Sequence, residues 1–449
     1  MLSIPFYLFY IFLAFCTPFF LISKKYRLLS LLGLIFTAQF NVTSFLKIGM
    51  TISFFEISLF LNVLIIIISW PKIIKKIVIL KIDYVLILFL FFSLLSVFVA
   101  QIRISLGYLI PVSLSGEIPV FRSLMSLNKI IVYFPCLLII RTYLLKQFNS
   151  VVLKENFFIF LFLSGILPAL AIIIQFFNLS FFIIKNNPSF AEAFHIVDFY
   201  NGERPIGLTN EASFFVYQLF FSFIAMIECF QKKLIAKKYF VLTLLLFVTS
   251  VILSLSRTGI LIYSLYGFYK FMNNRISFKR LLKMSIVMLA CFVVLKNITI
   301  AGFNIYDRLL SSFNVEADMS TIERYGSAEA ILNLAIDKSL LLGVGAFNYG
   351  FYVMKYLPDY MDVISHYDAE HGVPSFNFIL QLVAEFGLPL FLIFMTLCIY
   401  YVRKTKDTFV TGWFLFLFVF CLSFQALNFS VPFLIFLYPA LDDQDSLLN

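Results

Sequence analysis

KKLIAKKYFVLTLLLFVTSVILSLSRTGILIYSLYGFYKFMNNRISFKR, residues 232–280, sets one arginine deep inside an apolar stretch. Eighteen uncharged residues (239–256) precede Arg257 and twelve (258–269) follow it. A helix needs about 20 such residues to cross hydrocarbon. A guanidinium at that depth costs several kcal/mol, so it marks a protein interior or a watery cavity. Lys232, Lys233, Lys237 and Lys238 lie on one flank, and Lys270, Arg275, Lys279, Arg280 and Lys283 on the other. Basic clusters stay on the cytoplasmic side. The stretch therefore reads as a hairpin with Arg257 near its outer tip. The plainer alternative is an arginine that snorkels to the interface from a short span.

The rest of the chain repeats the pattern. Apolar residues make up 62% of it and charged ones 13%, the balance of an all-membrane protein. Candidate spans are 4–22, 28–46, 51–70, 84–101, 126–145, 156–178, 211–230, 239–256, 258–272, 281–299, 376–401 and 408–428, with 429–441 as a thirteenth. The expected fold is an all-α polytopic membrane protein of about 12–13 transmembrane helices. It forms a single integral membrane domain over 1–449, since what remains leaves no room for a separate soluble domain. Basic clusters at 24–27, 72–81, 141–154, 232–238, 270–283 and 403–406 fall at alternate span ends and read as cytoplasmic. Segments 102–125, 179–210 and 300–375 are left outside. The net charge of +10 is mostly this topogenic lysine and arginine, not a nucleic-acid patch.

Several chemistries find no support. The six cysteines lie within or at the ends of spans and have no metal-ligand spacing, so they read as packing residues. No nucleotide loop or zinc pattern is present, and no cofactor or metal is expected. Residues 4–22 lack a basic leader and a cleavage site, so no signal peptide is expected. The lack of an internal repeat disfavours inverted-repeat transporter folds.

The polar residues collect on the outer side. Loop 300–375 is the longest polar segment, and loops of that length are usually lids, binding loops or disorder. Within it, 321–342 has apolar positions at helical spacing, with Thr321 as a cap and Arg324 in the first turn. It reads as an amphipathic helix on the membrane surface, ending in a turn at Gly343-Val344-Gly345. The middle loop ends in Arg204-Pro205-Ile206-Gly207-Leu208-Thr209-Asn210-Glu211, with Asn210 placed to cap the next span. His195, His366 and His371, all three histidines, fall in outer loops. Arg204, Arg257 and Arg324 thus reach one face from separate segments, with Arg122 and Lys129 nearby. Arginine's planar fork binds phosphate oxygens in pairs, and several converging at membrane level suit a lipid-linked diphosphate. Glu211, Asp368, Glu370 and His371 are candidate proton acceptors. Taken singly, Arg204 could pair with Glu203 or Glu211, and Arg324 could be an ordinary exposed helix residue. Glu56, near the outer end of its span, reads equally well as interfacial.

Four motifs occur in order. They are Arg204 to Glu211 entering a span, Ser256-Arg257-Thr258-Gly259 between spans, Arg324 with the Asp337…Gly343-Val344-Gly345 stretch, and 375–390 opening the next span. Over roughly residues 200–400 they resemble the O-antigen polymerase and ligase superfamily, membrane glycosyltransferases that use undecaprenyl-diphosphate glycans. The family pattern at the last motif is histidine-asparagine, nine residues, then glycine-x-x-glycine. Asn377 and Gly387 keep that spacing, but Phe376 stands at the histidine and Leu390 at the second glycine. In ligases that histidine is the proposed base, so the resemblance implies a polymerase in preference to a ligase.

The implied substrates are undecaprenyl-diphosphate-linked repeat units, in the bacterial inner membrane with the active face outward. The implied roles are diphosphate and glycan binding by Arg204, Arg257 and Arg324, and a general base at His371 or Glu211. Membrane lipid, a chain-length regulator and a flippase are the implied partners. Two alternatives stay open: an O-antigen ligase acting on a lipid A core, and a flippase for lipid-linked sugars.

Overall fold

The structure is a computed structural model that describes residues 4–40, 46–48, 50–111, 118–176, 205, 208–209, 212–254, 256–273, 299–300, 303–304, 319–361, 376–422 and 430–439. Among these the chain is helical, apart from two short antiparallel ribbons, Leu46–Ile48 with Met50–Ile52 and Thr299–Ile300 with Phe303–Asn304. The helices are α1 (Ile4–Cys16), α2 (Arg27–Ala38), α3 (Phe54–Ser69), α4 (Asp83–Ser105), α5 (Pro119–Gln147), α6 (Ser150–Ser164) and α7 (Ile166–Phe176). They continue with α8 (Ala212–Gln231), α9 (Lys237–Leu253), α10 (Arg257–Asn273), α11 (Met319–Leu334), α12 (Phe378–Phe386), α13 (Leu388–Lys404) and α14 (Thr408–Cys421). Four stretches are long and apolar enough to cross a bilayer: Asp83–Ser105, Pro119–Gln147, Ser150–Phe176 and Ala212–Gln231. At 1.5 Å per residue, the 23 residues of α4 span about 35 Å. The expected all-α polytopic membrane fold is thus the observed one.

Two expected spans are broken helices. Segment 156–178 breaks at Gly165, where an added Cβ would sit 2.5 Å from Ser222 Cβ of α8. Segment 376–401 breaks at Gly387, between α12 and α13. The proposed thirteenth span is shorter than expected, a buried 3₁₀ helix at Val431–Leu437.

The chain divides into two compact units. The first comprises Met1–Phe12, Ile35–Phe54 and Phe158–Thr321. There α8, buried on nearly every side, packs against α7, α9 and α10. Gln39 Nε2 donates to Ser222 Oγ at 2.8 Å and to Ser164 Oγ at 3.2 Å, side-chain bonds of the kind that join helices in lipid.

The second unit comprises Leu13–Leu34, Phe55–Phe157 and Ile322–Asn449. In it α4 packs on α5, α12 and α13. Arg141 of α5 is wholly buried and grips Asp83 at the start of α4, with Nη1 to Oδ1 2.7 Å and Nη2 to Oδ2 2.5 Å. It also donates to the Phe436 and Val78 carbonyls. Arg27 lies over Trp70 at 4.8 Å, and Lys154 binds Asp407 at 2.7 Å. Three residues of the basic clusters therefore hold the fold together besides any part in orientation. Glu56 accepts from Tyr133 Oη at 2.6 Å, so it is a helix-to-helix contact.

Candidate active site

The Ser256-Arg257-Thr258-Gly259 motif opens a helix in the first unit. Ser254 ends α9, and its Oγ accepts from Ser256 N at 3.4 Å. Ser256 Oγ in turn accepts from Gly259 N at 3.3 Å, the bond of a serine N-cap. A Cβ on Gly259 would lie 2.7 Å from Val216 Cγ1, so glycine is what allows α10 to lie this close to α8. Serine and glycine thus start and seat the helix, and Arg257 is its first residue. The positive end of a helix dipole does not stabilise a cation there, whereas dipole and guanidinium both favour an anion. The Arg257 side chain lies outside the description. In the preceding motif Pro205, Leu208 and Thr209 are buried, while Arg204, Asn210 and Glu211 fall outside the described residues.

The remaining motifs belong to the second unit. Asn377 caps α12, its Oδ1 accepting from Leu380 N at 3.0 Å. Ten residues on, Gly387 adopts φ +78°, ψ 151°, a conformation open essentially to glycine alone. Gly343 and Gly345 also have positive φ, +68° and +91°. The three positions interlock: Leu388 N donates to Leu340 O at 2.8 Å, Val344 N to Ala384 O at 3.0 Å and Gly345 N to Glu385 O at 2.9 Å. A Cβ on Gly343 would lie 2.1 Å from Glu385 O, and one on Gly387 2.5 Å from Leu341 O. The glycine motifs of the outer loop and the broken span are two halves of one backbone joint.

That joint is tied to neighbouring helices. Arg103 of α4 donates to the Gly343 and Lys338 carbonyls. Ser96 Oγ accepts from Ala346 N at 3.1 Å, and Ser123 Oγ donates to Ala346 O at 2.6 Å and Asn348 Oδ1 at 3.0 Å. The expected amphipathic helix is present as α11, and Ala330, Ile331, Leu334 and Ala335 pack it against Ala100 of α4 and the 344–353 loop. It begins at Met319, however, so Thr321 lies inside the helix, not at its cap, and half-buried Arg324 falls in the second turn.

Beyond α11, Tyr356 Oη donates to Asp337, and Tyr360 Oη donates to Glu329 at 2.7 Å. The Tyr356 hydroxyl, with Lys338 beside it, holds the Asp337 carboxyl below its ordinary range. Burial and then the carboxylate partner push Tyr356 and Tyr360 up to about 12. His366, Asp368, Glu370 and His371 lie outside the described residues, as does His195.

Sequence reasoning missed Glu385. It is buried on α12, where Oε1 accepts from Gln381 Nε2 at 2.8 Å and Tyr349 N at 3.4 Å. The signal was the one that singled out Arg257, an ionisable residue inside an otherwise uncharged span.

No curated protein and no solved structure matches the chain. Residues 242–395 match the family model described as O-antigen ligase, a stretch that holds Arg257, Arg324, Gly343, Gly345, Glu385 and Gly387. This similarity covers about a third of the length and falls within the stretch where the sequence motifs resemble the O-antigen polymerase and ligase superfamily.

Proposed function

We propose that the protein polymerises undecaprenyl-diphosphate-linked oligosaccharide repeat units on the outer face of the bacterial inner membrane. The product is O-antigen, capsule or exopolysaccharide. An acceptor sugar hydroxyl attacks the anomeric carbon of the growing chain as the bond from that carbon to the diphosphate breaks. The lipid diphosphate leaves, and the hydroxyl proton passes to a base. The leaving group carries the driving force, so no nucleotide is required.

The enzyme's work is to hold two lipid-linked substrates and to stabilise charge growing on the diphosphate. Arg257 and Arg204 take that role, with Arg324 as the outer loop's contribution. His371 and Glu211 are the candidate bases, since an ideal base titrates near working pH.

Phe376 carries the choice of polymerase. It precedes the capping Asn377, where the family resemblance implies a histidine base for the ligase, and a phenyl ring accepts no proton. The ligase, which transfers finished glycan to a lipid A core, remains the second reading because the family match is described in those words. The transporter alternative has no such support.

Arg257→Lys tests the diphosphate role, because lysine keeps the charge and loses the fork. The variant should insert normally and lose activity. Full activity at matched protein level would remove the clamp from the account.

A further inference from the structure

Among the described residues of the second unit, Glu385 is the least explained charge. It is 1% exposed, and its Oε2 is buried with no hydrogen-bond partner among the described residues. Its carboxylate receives Gln381 Nε2 and the Phe347 and Tyr349 amides. A buried carboxylate with an unsatisfied oxygen costs several kcal/mol. A glutamine would accept from the same amides through its carbonyl without a charge to bury.

The positive charge of Arg122 acts on Glu385. Arg122 sits half-buried in the first turn of α5, at the end that the charge pattern puts outside. Its guanidinium lies over the Phe351 ring, 5.4 Å from the centroid, and Nη2 is 3.5 Å from where a Cβ on Gly350 would stand. Both contacts are with the loop that Glu385 holds. That loop is strained: Phe347 has φ +60°, a left-handed conformation that a bulky residue keeps only when its surroundings impose it. Glu385 accepts from the amide of that same residue. Carboxylate, strained loop and guanidinium form one connected assembly at the outer end of α5.

We propose that Glu385 is a positioning residue that fixes Arg122 through the 343–351 loop, and that Arg122 is an arginine with which the second unit binds a diphosphate of the lipid-linked glycans. This rests on the function proposed above and adds a residue from outside the matched 242–395 stretch. Held against Phe351 and Gly350 of the loop, the guanidinium loses little rotamer freedom when it binds phosphate oxygens.

The test measures affinity of the full-length protein in nanodiscs for undecaprenyl diphosphate carrying no sugar. Arg122→Ala should weaken binding about tenfold, the size of one charge-assisted hydrogen bond, and Arg122→Lys should recover little of it. Glu385→Gln keeps the size and the acceptor oxygen and removes the buried charge, so it should unfold no lower than the wild type yet bind several-fold more weakly. The double variant should bind no worse than Arg122→Ala alone, since one residue acts through the other.

Wild-type affinity in Glu385→Gln, or losses that multiply in the double variant, would overturn the positioning role. Should Glu385→Gln fail to fold, Arg122→Ala still decides, because unchanged affinity there overturns the proposal. A wild-type protein that binds no undecaprenyl diphosphate overturns the proposed function as well. One that binds it regardless of Arg122 overturns this inference alone.

Discussion

Gly387→Ala attacks the joint between the outer loop and the broken span, and Gly107→Ala supplies its control. Both glycines have nearly the same φ, +78° and +76°. Around Gly107 nothing lies within 4 Å of an added Cβ, whereas at Gly387 that atom would meet Leu341 O at 2.5 Å and Gly343 N at 2.9 Å. The control therefore carries only the left-handed backbone penalty, about 1–2 kcal/mol. Gly387→Ala carries a backbone penalty of about 1–3 kcal/mol, and it must also push the loop away. Displacing the loop endangers three backbone bonds, Leu388 N to Leu340 O, Val344 N to Ala384 O and Gly345 N to Glu385 O. Each contributes about 1 kcal/mol, which brings the expected loss to about 4–6 kcal/mol. Thermal unfolding of both variants in the same detergent, with limited proteolysis near residue 342, measures the difference. Gly387→Ala should unfold well below Gly107→Ala and be cut faster in the loop. Equal unfolding temperatures and equal cutting would refute the joint.

Three further outcomes are expected. Asp83→Ala or Arg141→Ala leaves a buried charge alone and should cost about 3–5 kcal/mol; in a thermal double-mutant cycle the pair should cost clearly less than the sum. Burial works against the charge of Asp407, but the hydrogen bond and charge of Lys154, the Tyr438 hydroxyl and the Phe409 amide together hold its carboxyl below the usual range. A lowered carboxyl pKa contributes stability above the unfolded value, about 3.9, and loses it as pH falls through the folded value. Asp407→Asn should thus be less stable than wild type at pH 7 by about 1–3 kcal/mol, and the gap should close as pH drops below about 4; a gap independent of pH would refute this. Ser256→Ala removes the cap that starts α10 and should cost about 1 kcal/mol, with a larger loss of activity because Arg257 opens that helix.

Much of the architecture was legible from hydropathy alone, because in lipid only helices satisfy every backbone group. The two breaks at Gly165 and Gly387 were not, since an apolar window reads straight through a glycine. Pro168 and Pro389, in the first turn of the helix that follows each glycine, cannot donate back into the preceding turn. Neither glycine has room for a Cβ, against Ser222 for one and Leu341 for the other. Val431–Leu437 was read as part of a span because its residues are apolar. They are apolar because they are buried against α5.

At the site, Arg257 stood out by its isolation, and the structure adds why serine and glycine flank it. Glu385 carries the same signal, but it sits inside a motif that hides a charge within a span. Arg141 was counted among topogenic charges, since sequence cannot tell a solvated arginine from one facing a distant Asp83. The opening of α11 at Met319 is not legible in the sequence, because Thr321 matches a cap pattern that the fold does not use.

The central claim is polymerisation, and a single reconstitution tests it. The purified protein is placed in liposomes with lipid-diphosphate-linked repeat unit as the sole substrate, and the products are run on a gel. The account predicts a ladder of lengths that vanishes in Arg257→Ala. An absent ladder, with glycan transferred once a lipid A core is supplied, would contradict it and identify a ligase.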